Sequence, residues 1–130
     1  MLVMKNLLSI FTILTFILIS ACSKNEEINA ESSDDAKLAL LAADIESFAQ
    51  NKACAGNDCK AMAMGSKPCG GPTRYIIYSL SKVDEKVLAE KVKNYTDLQK
   101  EINLKYNRVS DCSFLMPPSV DCVNGVCTAK

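Results

Sequence analysis

The chain has 130 residues, 15 basic and 15 acidic side chains, seven cysteines, and neither histidine nor tryptophan. A length of this order allows at most one compact domain, and the absence of histidine removes Ser/His and Cys/His catalytic pairs together with His-ligated metal sites. Zero net charge gives no support for nucleic-acid binding.

Lys5 precedes the uncharged run Leu7 to Ile19, which leads into Ile19-Ser20-Ala21-Cys22. A basic start, an apolar centre and small residues before a cut site predict a secretory signal over residues 1–21; the run is short for a spanning helix. Ile19-Ser20-Ala21-Cys22 resembles the lipobox of bacterial lipoproteins, in which the cysteine is acylated, with palmitate among the chains, and becomes the first mature residue. That resemblance implies a membrane partner through the acyl chains on Cys22, each buried methylene contributing about 0.8 kcal/mol. By resemblance to proteobacterial lipoproteins, Ser23 in place of aspartate after the cysteine implies the outer membrane over inner-membrane retention. Ser23-Lys24-Asn25-Glu26-Glu27 is similar to the lysine-plus-acid signals of surface lipoproteins of Bacteroidota, which implies surface exposure; an acidic solvated tether is the plainer reading.

Residues 22–35 place Lys24 against Glu26, Glu27, Glu31, Asp34 and Asp35, with little to bury, and are expected to be the lipidated cysteine and a flexible tether. Residues 36–130 then form the folded domain, with 13 basic and 10 acidic residues. That mild excess reads as a solvated surface, or as a site for an acidic partner.

Leu38, Leu41, Ile45 and Phe48 recur at helical spacing behind Ser32, Ser33, Asp34 and Asp35, predicting an amphipathic helix over 35–52. Gly56, Asn57 and Asp58 break it with turn chemistry. Lys60 to Met64 and Arg74 to Ser79 read as strands, the second rich in aromatic and β-branched residues. Tyr75 and Tyr78 fall on opposite strand faces, one for the core, and Met62 and Met64 read as core filler. Between the strands, Gly65 to Pro72 holds two prolines and three glycines and must be a bent, specified loop.

Ser81 and Asp84 have capping-box spacing ahead of a stripe of Leu88, Val92, Tyr95, Leu98, Ile102 and Tyr106, so a long second helix ends near Asn107. Asp111 to Leu115 reads as a strand stopped by Pro117-Pro118, and Ser119 to Ala129 as a hairpin turning at Asn124-Gly125. This order predicts an α+β fold, two helices on one face of a small antiparallel sheet.

Without Cys22, an even set remains: Cys54, Cys59, Cys69, Cys112, Cys122 and Cys127. In an exported chain these should form three disulfides. Local geometry favours Cys54–Cys59, Cys122–Cys127 and Cys69–Cys112; the competing arrangement joins the Cys54/Cys59 turn to the Cys122/Cys127 hairpin.

Gly65 to Ser79 (GSKPCGGPTRYIIYS), followed by a long helix, Ser110-Asp111-Cys112, a proline and a closing Cys122/Cys127 pair, resembles small cysteine-containing proteins encoded in bacterial genomes, many of them lipoproteins. The likeness covers most of residues 44–128 and implies a fold without supplying catalytic residues.

Neither Cys54/Cys59 nor Cys122/Cys127 has Cys-x-x-Cys spacing, so thiol redox catalysis is not expected, and zinc would need the same sulfurs reduced in an exported protein. Gly70-Gly71 leads into no phosphate-binding helix and reads as a tight turn. No catalytic residue, metal or cofactor is expected. Lys67, Pro68, Gly70, Gly71 and Pro72 form the candidate binding loop.

Two functions are expected to compete. One is a lipid-anchored, non-catalytic binding or structural module meeting an envelope or extracellular protein. The other is an inhibitor of a secreted hydrolase or protease, with Lys67 entering the cleft, although Pro68 removes an amide that an extended loop would use there. On the lipobox reading, Cys22→Ala should abolish incorporation of a radiolabelled fatty acid while leaving export intact; label retained by the variant would refute the anchor.

Overall fold

The computed structural model describes residues 23–130; the apolar run and the lipobox through Cys22 lie outside the described residues. Among the described residues, 23–33 group separately from the unit formed by Asp34–Lys130. The elements are α1 (Ser23–Phe48), β1 (Cys59–Met64), β2 (Arg74–Ser79), α2 (Glu85–Lys105), β3 (Val120–Val123) and β4 (Val126–Ala129). The fold is α+β, as the order of patterns predicts. No described helix is long and apolar enough to cross a membrane.

The first helix starts at Ser23, well before residue 35, so the segment expected to be a tether is helical. The buried Leu38 and Ile45 further along supply the packing on which a helix can propagate. Within the larger unit, Asp34 accepts from Lys105 Nζ at 2.7 Å and from Tyr106 Oη at 3.0 Å, and Asp35 takes Arg108 at 2.8 Å through both oxygens. Lys105 and then Tyr106 hold the Asp34 carboxyl below the usual carboxylate range, and Asp34 in turn raises Lys105.

Asp84 alone caps α2: its carboxylate accepts from the N–H groups of Lys86 and Val87. Ser81 instead bonds the hydroxyl of Ser79, so the capping box expected from Ser81 and Asp84 is not formed. Leu88, Val92, Tyr95 and Ile102 are buried along the predicted stripe, and Asn107, at φ 48°, stops the helix in the left-handed region.

β1 and β2 pair antiparallel with Met62 opposite Ile76 and Ala61 opposite Ile77. Alternation places Met62, Met64, Ile76 and Tyr78 on the face that meets both helices, where the core lies. Tyr78 is buried there; lost hydration, and then the bond it donates to Glu85 at 2.6 Å, push its phenol well above the usual range. Cys59, Ala61, Tyr75 and Ile77 point the other way.

The single sheet expected from the sequence is two. β3 and β4 form a separate hairpin turning at Asn124 and Gly125, both at positive φ as a type I′ turn requires. Asp111 to Leu115 is not a strand: residues 109–118 contain no helix, strand, turn or bend.

The three disulfides are Cys54–Cys122, Cys59–Cys127 and Cys69–Cys112, with Cα separations of 5.9, 5.3 and 5.4 Å. The third is as expected; the local pairs Cys54–Cys59 and Cys122–Cys127 are overturned in favour of the crossed arrangement. Backbone pairing is the physical reason. Ala53 bridges Val126, Cys54 N–H donates to Gly125 O, and Cys127 N–H donates to Lys52 O, so residues 52–54 lie beside β4 as an added edge. That edge brings both cysteines of the turn to Cys122 and Cys127, which face one another across the hairpin and so project to the same side. Each crossed bridge spans 68 residues of sequence and restricts the unfolded chain by about 4.4 kcal/mol, against about 2.2 for a local one.

Trypsin separates the alternatives, because Lys67 precedes proline and resists cleavage. Under non-reducing conditions residues 53–60, 61–74 and 109–130 should remain one covalent cluster; release of 53–60 alone would mean local pairing. Leu88→Ala should destabilise the domain by about 2–5 kcal/mol in chemical denaturation.

Candidate functional site

The Gly65–Pro72 loop is built on the polar side of α2. Thr96 and Gln99 accept from the N–H groups of Gly65 and Ser66 at 3.0 and 2.7 Å, and Asn103 donates to Ser66 O at 2.8 Å. These three residues recur at helical spacing, a signal that the apolar stripe overshadows in the sequence. Gly65 sits at φ 84°, and a Cβ there would stand 2.0 Å from Thr73 Oγ1 and 2.5 Å from Gln99 Oε1, so only glycine lets the strand end meet the helix. Lys67 N–H donates to Gly71 O and Gly70 N–H to Lys67 O, which closes the loop tip.

Lys67 does not stand free. Its side chain is 16% exposed, and Nζ donates to Asp111 Oδ1, Ser113 O and Ser113 Oγ, each at 3.1 Å. The Ser113 hydroxyl closes the knot by donating to Asp111, and that bond first, then Lys67, holds the Asp111 carboxyl below the usual carboxylate range. Lys67, which the sequence reading places in a partner's cleft, thus has its ammonium engaged by Asp111 and Ser113 within the molecule. Of the other predicted loop residues, Pro68, Gly70 and Gly71 are exposed and Pro72 is half-buried.

What Lys67 and the Cys69–Cys112 bridge hold in place is the segment that leads to β3. Tyr75, on the β2 face turned away from the helices, donates its hydroxyl to Leu115 O at 3.2 Å. Val109, Phe114 and Met116 are 91%, 73% and 69% exposed, and Leu115 is also exposed. Among the described residues, no backbone N–H or C=O of residues 109–118 bonds to another backbone group. The site is thus a ridge of apolar side chains with free peptide edges, fixed from beneath. The sequence reading assigned this segment to a strand and so did not single it out. Its mixture of Phe-Leu-Met with Pro-Pro was the available signal, since proline limits ladder pairing.

On the other side of the loop, a groove of about 400 Å³ separates Lys67 and Pro68 from Lys100, Leu104 and Arg108 at the end of α2. The sulfurs of Cys54, Cys59 and Cys127 lie within 4.8 Å of one another. All three belong to disulfides, so no thiolate is offered to a metal.

The chain matches no protein-family model, no curated protein and no solved structure.

The pH dependence of the knot follows from Asp111. Its folded pKa lies below the unfolded value of about 3.9, so its contribution is complete above that pH and disappears as pH falls through the lowered folded value. Backbone chemical shifts of Ser113 and Phe114 should therefore be constant from about pH 5 to 8 and move only in acid below about pH 3.9. Lys67→Met should displace the same resonances at neutral pH while changing global stability by no more than about 1 kcal/mol.

Proposed function

We propose that this protein is a lipid-anchored, non-catalytic binding module of the bacterial cell envelope, held at the outer membrane through Cys22 and facing an envelope or extracellular protein. The observation that carries the binding role is the ridge at residues 109–118. Isolated exposed apolar residues are ordinary, but here several are consecutive, and the domain commits a disulfide, a three-bond lysine and a tyrosine hydroxyl to keeping them outward. A preorganised surface loses little entropy on association, which favours recognition over a purely structural role. The anchor rests on the signal-like N-terminus and the lipobox.

A photo-reactive amino acid placed at Met116 tests the surface, with Lys93 on the exposed side of α2 as the control position. In living cells, position 116 should give a discrete adduct that Phe114→Ala abolishes, and position 93 should not. Equal adducts from both positions, or none from 116, would remove the ridge as the interaction surface.

A further inference from the structure

The ridge has a polarity in its backbone as well as in its side chains. Ser113 O and Leu115 O are both held by the domain, through Lys67 and Tyr75. Between and beside them, the peptide groups of Cys112, Phe114 and Met116 pair with no backbone group among the described residues. Phe114 stands at the centre of that free edge, with an aromatic side chain exposed and its own carbonyl unengaged.

Serine proteinases bind polypeptide through backbone groups left unpaired in this way. The substrate pairs as an added strand, one side chain fills a specificity pocket, and the carbonyl of that residue meets an oxyanion hole. An unpaired peptide group at Phe114, flanked two residues away on either side by those of Cys112 and Met116, offers the pairing groups. We infer that residues 112–116 dock in the active-site cleft of a serine proteinase with an apolar specificity pocket, Phe114 filling the pocket, and that the protein is thereby an inhibitor of that enzyme. This rests on the ridge being the interaction surface and names its partner by chemistry.

The supports beneath the segment explain why it would inhibit and not be consumed. Cleavage after Phe114 requires the proteinase serine Oγ to bond the Phe114 carbonyl carbon while the bond to the Leu115 nitrogen breaks and the serine proton passes to that nitrogen; water then releases the acyl group. Here the new amine cannot leave. Leu115 stays held by Tyr75, Cys112 stays bound to Cys69, and Cys54–Cys122 and Cys59–Cys127 join the two sides of the cut. The amine remains beside the acyl carbon at a high effective concentration and re-forms the peptide bond, returning the serine its proton.

The test titrates the purified, disulfide-bonded protein against chymotrypsin and trypsin, read with peptide substrates bearing an aromatic or a basic residue before the scissile bond. Chymotrypsin should be inhibited at sub-micromolar concentration and trypsin should not. Phe114→Gly should weaken inhibition by about 100-fold or more, and Phe114→Lys should move it to trypsin, whose pocket is acidic. Because Phe114 is exposed, both variants should keep the wild-type circular dichroism. No inhibition of chymotrypsin or of subtilisin by about 10 μM wild-type protein would overturn the inference. So would cleavage at Phe114–Leu115 as fast as in the reduced, unfolded chain. A Met116 adduct that persists without inhibition refutes the proteinase alone, whereas loss of both refutes the surface as well.

Discussion

Beyond Asn107 the chain is held chiefly by covalent attachment. The buried cluster is drawn from α1, β1, β2, α2, Ala49 and Val83, with Tyr106 as its last packed contributor. Apart from Cys127, itself in a disulfide, the final residues bury no large side chain fully. Hydrophobic burial thus stabilises the helices and the first hairpin, and supplies little for the ridge and the second hairpin. Three bridges do that work, two from the turn after α1 and one from the Gly-Pro loop. Small exported domains commonly use disulfides where their core is limited. Here they also divide the molecule into a packed body and a stapled surface.

Polar contacts refine what the bridges fix coarsely. A disulfide at Cys112 sets one point of the segment, but not the rotation of the peptide groups that follow. Lys67 and Tyr75 set that rotation by taking the carbonyls of Ser113 and Leu115. Lys67 reaches its place because Gly65 lets the loop close on Thr96 and Gln99, so the long helix positions the ridge through two successive layers. Exposed ion pairs contribute little to stability, and the Lys67–Asp111 pair is better understood as orientation than as folding energy.

The parts of this architecture that were legible share one property: their signals are local. The apolar stripe of α2, the Asn124-Gly125 turn and the bent Gly65–Pro72 segment each follow from spacing or backbone restriction within a few residues. What escaped was decided at long range. Asp111 to Leu115 has strand-like composition, yet pairing needs an unoccupied edge at the right distance, and β1 and β2 pair with each other. The crossed disulfides were set by an edge contact of residues 52–54 with β4, which no count of cysteines contains. Ser23 to Ser33 lacks the composition of a helix that must stand alone, and continues one already anchored by Leu38 and Ile45. Lys67 looked free because its acceptors, Asp111 and Ser113, lie more than 40 residues away.

The separation between packed body and stapled surface bears on how the chain selects one pairing out of the fifteen open to six cysteines. The core needs no sulfur from the C-terminal segment, so collapse of the helices against β1 and β2 can precede oxidation. That collapse already orients Cys59 at the end of β1, and Cys69 in a loop gripped by α2. The unoxidised tail then meets a template and not a coil, and the order of assembly is written in which half of the molecule owns the hydrophobic residues.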